Sequence, residues 1–68
     1  MDKNLLFYEM KKSGVSIKDM CEKLAISRSA FYRKCNSISE FTQREIQTIV
    51  DVLELESPVG IFFKPKVS

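Results

Sequence analysis

The chain contains no histidine, no glycine-rich stretch and only two cysteines, and these shortages close off most of catalysis before any pattern is read. Cys21 and Cys35 have no imidazole to act as their base, and there is no glycine loop to cradle a phosphate. The cysteines belong to no C-x-x-C pair and no Cys/His cluster. At apolar-periodic positions they are expected to be reduced core thiols. No enzyme, no cofactor, no metal and no small-molecule substrate are therefore expected. Long apolar runs are missing as well: nothing approaches the roughly 18 residues of a membrane span. The opening MDKNLLFYEMKK also lacks the apolar centre of a signal peptide. A cytoplasmic protein with no membrane contact is the expectation.

Glycine and proline are scarce, two of each among 68 residues, while 44% of the residues are hydrophobic and 29% charged. That is the balance of a globular chain and not of a disordered one. The length admits one domain, whose small core is marginal unless it is helical and compact or gains stability by association. Net charge is only +2, too little to announce a polyanionic ligand, so its distribution decides. Residues 27 to 36 hold Arg28, Arg33 and Lys34 with no acid, whereas residues 45 to 56 hold Glu45, Asp51, Glu54 and Glu56 with no base. One part suits a polyanion and the other does not.

Periodicity and stop signals predict an all-α chain of five helices. Leu5, Leu6, Tyr8 and Met10 recur at near-helical spacing, and Gly14 is suited to a left-handed cap, giving a first helix over 3 to 13. Ser16 with Asp19 marks the next start, and Ile17, Met20, Cys21 and Leu24 form the apolar stripe of a helix over 17 to 24. Ala25 and Ile26 make a turn, Ser27 caps, and Ala30, Phe31 and Cys35 supply the buried side of a helix over 28 to 35. Asn36, Ser37 and Ser39 break the period. Thr42 and Glu45 then form a capping box before Ile46, Ile49, Val50 and Leu53, predicting a helix over 43 to 54. Ser57-Pro58 repeats a start signal for a short helix from Val59 to Phe63, and residues 64 to 68 are expected to fray.

Two short amphipathic helices joined by three residues, the second opening on a serine and carrying Arg28, Arg33 and Lys34, have the sequence form of a DNA-reading helix-turn-helix over residues 17 to 35. From Lys3 to Phe63 the chain resembles the lambda-repressor-like, or Cro/C1-type, family, within it the small phage and prophage regulators of Gram-positive bacteria. The resemblance rests on LLFYEMKKSGVSIKDMCEKLAISRSAFYRKCN, SEFTQREIQTIVDVLEL and SPVGIFF. Its most specific parts are the S-G-V-S approach to the second helix, the L-A-I-S-R-S turn and the spacing from Phe41 to Leu53.

Some positions depart from the family. Ile17 stands where many members have a glutamine that bonds a phosphate and braces the reading helix. Ala25 stands for the usual turn glycine, and Cys21 is small enough for two helices to cross closely. Met10 and Cys35 stand where many members bury an arginine–glutamate pair; losing both partners is tolerable, whereas losing one strands a charge. Lys34 falls where an apolar residue is frequent, so the third helix is expected to be rotated slightly, turning Phe31 and Cys35, not residue 34, to the core.

The resemblance implies a compact five-helix domain over residues 1 to 63 that binds a double-stranded operator, usually as a homodimer whose reading helices enter successive major grooves. On the third helix Arg28, Ser29, Tyr32 and Arg33 share one edge, and arginine pairs bidentately with guanine O6 and N7, which predicts guanines in each half-site. Tyr32 could pack on a thymine methyl or bond a phosphate. Candidates for phosphate contact are Ser16, Lys18, Ser27, Lys34, Asn36, Ser37, Thr42, Gln43 and Arg44, with Glu40 an unfavourable neighbour. Ser27 serves equally well as a helix cap alone. Val59, Ile61, Phe62 and Phe63 are the candidate dimer interface, although one of the two adjacent phenylalanines should close the core. The rival reading is an interaction module that keeps this fold and modulates another phage repressor. A second rival, sequence-independent nucleic-acid binding, is disfavoured by the low net charge.

Overall fold

The first four helices each begin at a side chain that accepts a backbone proton left unpaired in the first turn. Asp2 accepts from the Leu5 N–H at 3.0 Å, Ser16 Oγ from Asp19 at 3.0 Å, Ser27 Oγ from Ala30 at 3.1 Å and Thr42 Oγ1 from Glu45 at 3.1 Å. Asp19 and Glu45 complete capping boxes by accepting the Ser16 and Thr42 N–H groups in return. In the computed structural model, which describes residues 1–57 and 59–62, the elements are α1 (Lys3–Ser13), α2 (Ile17–Leu24), α3 (Arg28–Cys35), α4 (Gln43–Leu53) and α5 (Val59–Phe62). The described residues contain no strand, as the all-α expectation requires. Of the first four helices only α4 departs from its predicted span, ending one residue early because Glu54 turns left-handed at φ 53°. Phe63 and the tail over 64 to 68 lie outside the described residues.

Spacing of three and four residues puts the apolar side chains on one stripe of each helix. Leu6 and Met10 of α1, Met20, Cys21 and Leu24 of α2, Phe31 and Cys35 of α3, Ile49 and Leu53 of α4, and Ile61 of α5 are all buried, and no polar or charged side chain is buried among the described residues. Helix α2 packs on α3 and α4, and α1 packs on α4 and α5. The Asp2 N–H donates to the Ile61 carbonyl at 2.7 Å, fastening the start of α1 to α5. Phe31 sits at the centre, its ring 6.4 Å from Phe7, 6.1 Å from Phe41 and 6.0 Å from Tyr32 between centroids. Because Met10 and Cys35 are both apolar and both buried, no lone charge is stranded at these positions. No helix among the described residues is long and apolar enough to cross a membrane.

Helix ends are less comfortable than helix starts. Gly14 takes a left-handed conformation without strain, but Ala25, Ser37 and Glu54 adopt φ of 57°, 62° and 53° with a Cβ attached. The left-handed turn at Ala25 closes α2 through Ala25 N–H to Glu22 O at 3.2 Å and Ile26 N–H to Cys21 O at 3.1 Å, and so sets the angle at which α3 leaves. Relief of the Cβ strain exceeds the extra chain entropy that glycine loses, so Ala25→Gly is expected to stabilise by about 0.5–1 kcal/mol. A urea midpoint unchanged or lowered in Ala25→Gly would show that the turn carries no strain.

Candidate functional site

Helix α3 has two unlike sides. With 3.6 residues per turn, Arg28, Tyr32, Ser29 and Arg33 follow one another across an arc of about 140°, and Phe31 and Cys35 fall outside it on the Arg28 side, about 60° and 20° round from Arg28 and one and two turns further along. All four of the first set are exposed, and both of the second are buried. The four candidate reading side chains therefore stand together, on a helix held by its own apolar stripe. Tyr32 is 44% exposed, with its ring edge-on to Phe31, so its orientation is set by the core. The Ser27 cap leaves the first turn of α3 at the surface.

The candidate phosphate donors are at the surface as well. Ser16, Lys18, Ser27, Asn36, Ser37, Thr42, Gln43 and Arg44 are all exposed. Ser16, Ser27 and Thr42 accept cap hydrogen bonds, and a hydroxyl that accepts in this way keeps its own proton to donate. Cap and anion contact are thus compatible uses of one side chain. Ile17 is partly buried against the core, where a longer polar side chain would be drawn toward solvent.

Two candidates are placed differently. Lys34 is not turned outward: its Nζ donates to Glu45 Oε1 at 2.7 Å and to the Glu40 carbonyl at 3.3 Å, and lies 5.8 Å from the Phe41 ring centroid. Only 15% of its side chain is exposed, so it joins α3 to the start of α4 and is removed from the phosphate-contacting set. Ile61 is 3% exposed within the chain itself and is removed from the candidate dimer interface. Phe62 is half-buried with its ring 5.6 Å from Phe41, closing the core. Ala30, expected on the buried side, is only half-buried.

Burial pushes the Glu45 carboxyl up, but the hydrogen bond from Lys34 and that from the Thr42 N–H outweigh it and hold the group below the ordinary carboxylate range. A carboxyl depressed in the folded state contributes stability that is complete above its unfolded value, near pH 4.3, and is lost as pH falls through its folded value. Glu45→Gln is accordingly expected to show a shallower loss of stability than wild type between about pH 5 and pH 3 in urea titrations. Lys34→Met alone leaves a largely covered carboxylate short of its cation and should cost about 2 kcal/mol, most of it recovered in Lys34→Met/Glu45→Gln. Equal losses in the single and double variants would show that the pair acts only through packing.

Cys21 and Cys35 are free and buried. Burial raises the Cys35 thiol to about 11, Cys21 nearby adds to the effect and Lys3 works against it. Burial likewise raises Cys21, with Arg28 acting in the other direction. At neutral pH a buried thiol of this kind is a protonated, weakly nucleophilic group. Among the described residues no group of three or more histidine, cysteine, aspartate or glutamate side chains could hold a metal ion.

No family model, no curated protein and no solved structure matches this chain. Its function has to be read from the α3 face and its surroundings.

Several features of that surface have no signal in local sequence. The Lys34–Glu45 pair spans 11 positions, and a hydrogen bond from Lys3 to Asn36 spans 33. Ile38 is 74% exposed, projected from the turn after α3 by its N–H bond to the Arg33 carbonyl at 2.9 Å.

Proposed function

We propose that the chain is a sequence-specific regulator of transcription with a lambda-repressor-like helix-turn-helix domain, of the kind by which phages and prophages occlude an operator. The observation that carries this reading is the α3 edge: Arg28, Ser29, Tyr32 and Arg33 are exposed together while Phe31 and Cys35, beside that edge, are buried and anchor the helix. A helix so mounted fits the major groove, about 12 Å wide, where each base pair offers a distinct pattern of donors and acceptors. Arg28 and Arg33 supply bidentate donors for guanine. Ser16, Lys18, Ser27, Asn36, Ser37, Thr42, Gln43 and Arg44 supply neutral and cationic donors for the flanking phosphates, which fix register without carrying sequence information. The acids Asp51, Glu54 and Glu56 fall at the far end of α4 and beyond it, away from the capped start at Thr42.

One reading helix covers half an operator, so a homodimer at least on DNA belongs to the proposal, with half-sites roughly 34 Å apart. Of the residues first considered for its interface, Phe62 keeps a half-exposed surface, while Phe63 and the side chain of Val59 lie outside the description. A second reading, docking of a protein partner such as another repressor, is favoured by one observation: Ile38, a large apolar side chain, stands exposed in the turn that follows α3.

Selection of sites from a random duplex pool tests both. Recovery of a pseudo-palindrome with guanines in each half-site by the wild type, and its loss in Arg28→Ala/Arg33→Ala, supports the operator-reading regulator. No enrichment by folded wild-type protein would sink it in favour of the protein partner.

A further inference from the structure

Asn36, which caps the C-terminal end of α3, is not free to turn: Lys3 Nζ donates to its Oδ1 at 2.7 Å, joining the first residue of α1 to the end of α3. An ammonium offers only protons, so the amide must present its oxygen to Lys3 and its NH2 group elsewhere. Two N–H donors are thereby aimed away from Lys3, and the ammonium keeps protons beyond the one used. The pair sits in an open cleft between the start of α1 and the end of α3, lined also by Asn4 and Ser37. The one acid lining this cleft, Asp2, is engaged as the α1 cap by the Leu5 N–H. Ammonium, amide and hydroxyl donors outnumber that one carboxylate in the lining and together suit an anion.

We propose that Lys3 and Asn36 form a phosphate clamp for the DNA backbone, in which Lys3 orients the Asn36 amide and adds the charge. The clamp rests on the reading that α3 faces a duplex. Eight residues make α3 about 12 Å long, close to the width of the major groove. With the Arg28 turn at the base edges, the Asn36 end arrives at the groove wall, where the phosphates run. Lys3 thus acts as a positioning residue for Asn36 and as a contact in its own right. It ties a residue of the first helix to the reading helix across 33 positions.

The test compares wild type, Lys3→Met, Lys3→Arg, Asn36→Ala and Lys3→Met/Asn36→Ala on a selected duplex and a scrambled one, with affinity followed between about 50 and 200 mM salt. Lys3→Met is expected to weaken both duplexes roughly fivefold and to reduce the slope of log affinity against log salt by about 0.9, with Lys3→Arg close to wild type. Asn36→Ala should weaken binding by itself and add little once Lys3 is lost. A Lys3→Met protein that melts earlier but keeps the wild-type salt slope makes the pair a helix tie only and overturns the clamp. Wild-type protein with no affinity for any duplex overturns the underlying reading along with the clamp, an outcome recognisable because no salt slope then exists.

Discussion

Arg28→Ala/Arg33→Ala is expected to lose roughly a thousandfold in affinity for its selected site while its thermal unfolding stays close to that of wild type. A bidentate arginine–guanine pair contributes about 1–3 kcal/mol of discrimination, so removing two takes away about 4 kcal/mol, and each 1.4 kcal/mol is a factor of ten. Both side chains are exposed, and neither enters an ion pair among the described residues, so folding has little to lose. Binding to scrambled duplex should fall far less, since the phosphate donors remain. Calorimetry on the variant and fluorescence anisotropy on both duplexes separate these quantities. An equal loss on the two duplexes would mean that the arginines act as backbone cations, and an unchanged affinity would point to a protein-docking face.

Phe31→Ala should leave much of the population unfolded at 25 °C. Truncating a buried phenylalanine costs about 3–5 kcal/mol, and a domain of this size has only about 3–10 kcal/mol in total. Phe31 is fully buried and its ring meets Phe7, Tyr32 and Phe41, so neighbours from three parts of the chain lose their packing together. Phe31→Leu keeps most of the volume and should cost about 1.5 kcal/mol. Urea titration followed by circular dichroism distinguishes the two. If Phe31→Ala kept the wild-type midpoint, the centre of the core would lie elsewhere.

Local chemistry made much of this fold legible. Ser16, Ser27 and Thr42 each bond a backbone N–H three residues on, and Phe31 with Cys35, or Ile49 with Leu53, lie one turn apart. Such signals are written in neighbouring residues, and the helix spans over 3 to 53 follow from them within one residue. The exposure of Arg28, Ser29, Tyr32 and Arg33 followed for the same reason, because burying the Phe31 and Cys35 stripe leaves the remaining arc of so short a helix to solvent. Lys34 was misread: its place at a frequently apolar position hinted at an inward side chain, but as a base beside Arg33 it looks like one more phosphate donor, and only the tertiary approach of α4 brings Glu45 to it. Ile61 was illegible for a different reason. A four-residue helix is too short for periodicity to tell an inward from an outward side chain, and what buries Ile61 is α1, some 55 residues earlier in the chain.

The left-handed residues at Ala25, Ser37 and Glu54 have a bearing on how long a molecule survives. When a protein opens and closes rapidly, its degradation follows the fraction open at any moment, which changes tenfold for every 1.4 kcal/mol. Strain kept at three helix exits raises that fraction without touching the α3 edge. The expected consequence is faster turnover than an unstrained chain would have, and a more quickly cleared protein follows each rise and fall in its own synthesis with less delay. Glycine at those three positions would yield a longer-lived molecule whose level lags behind its production.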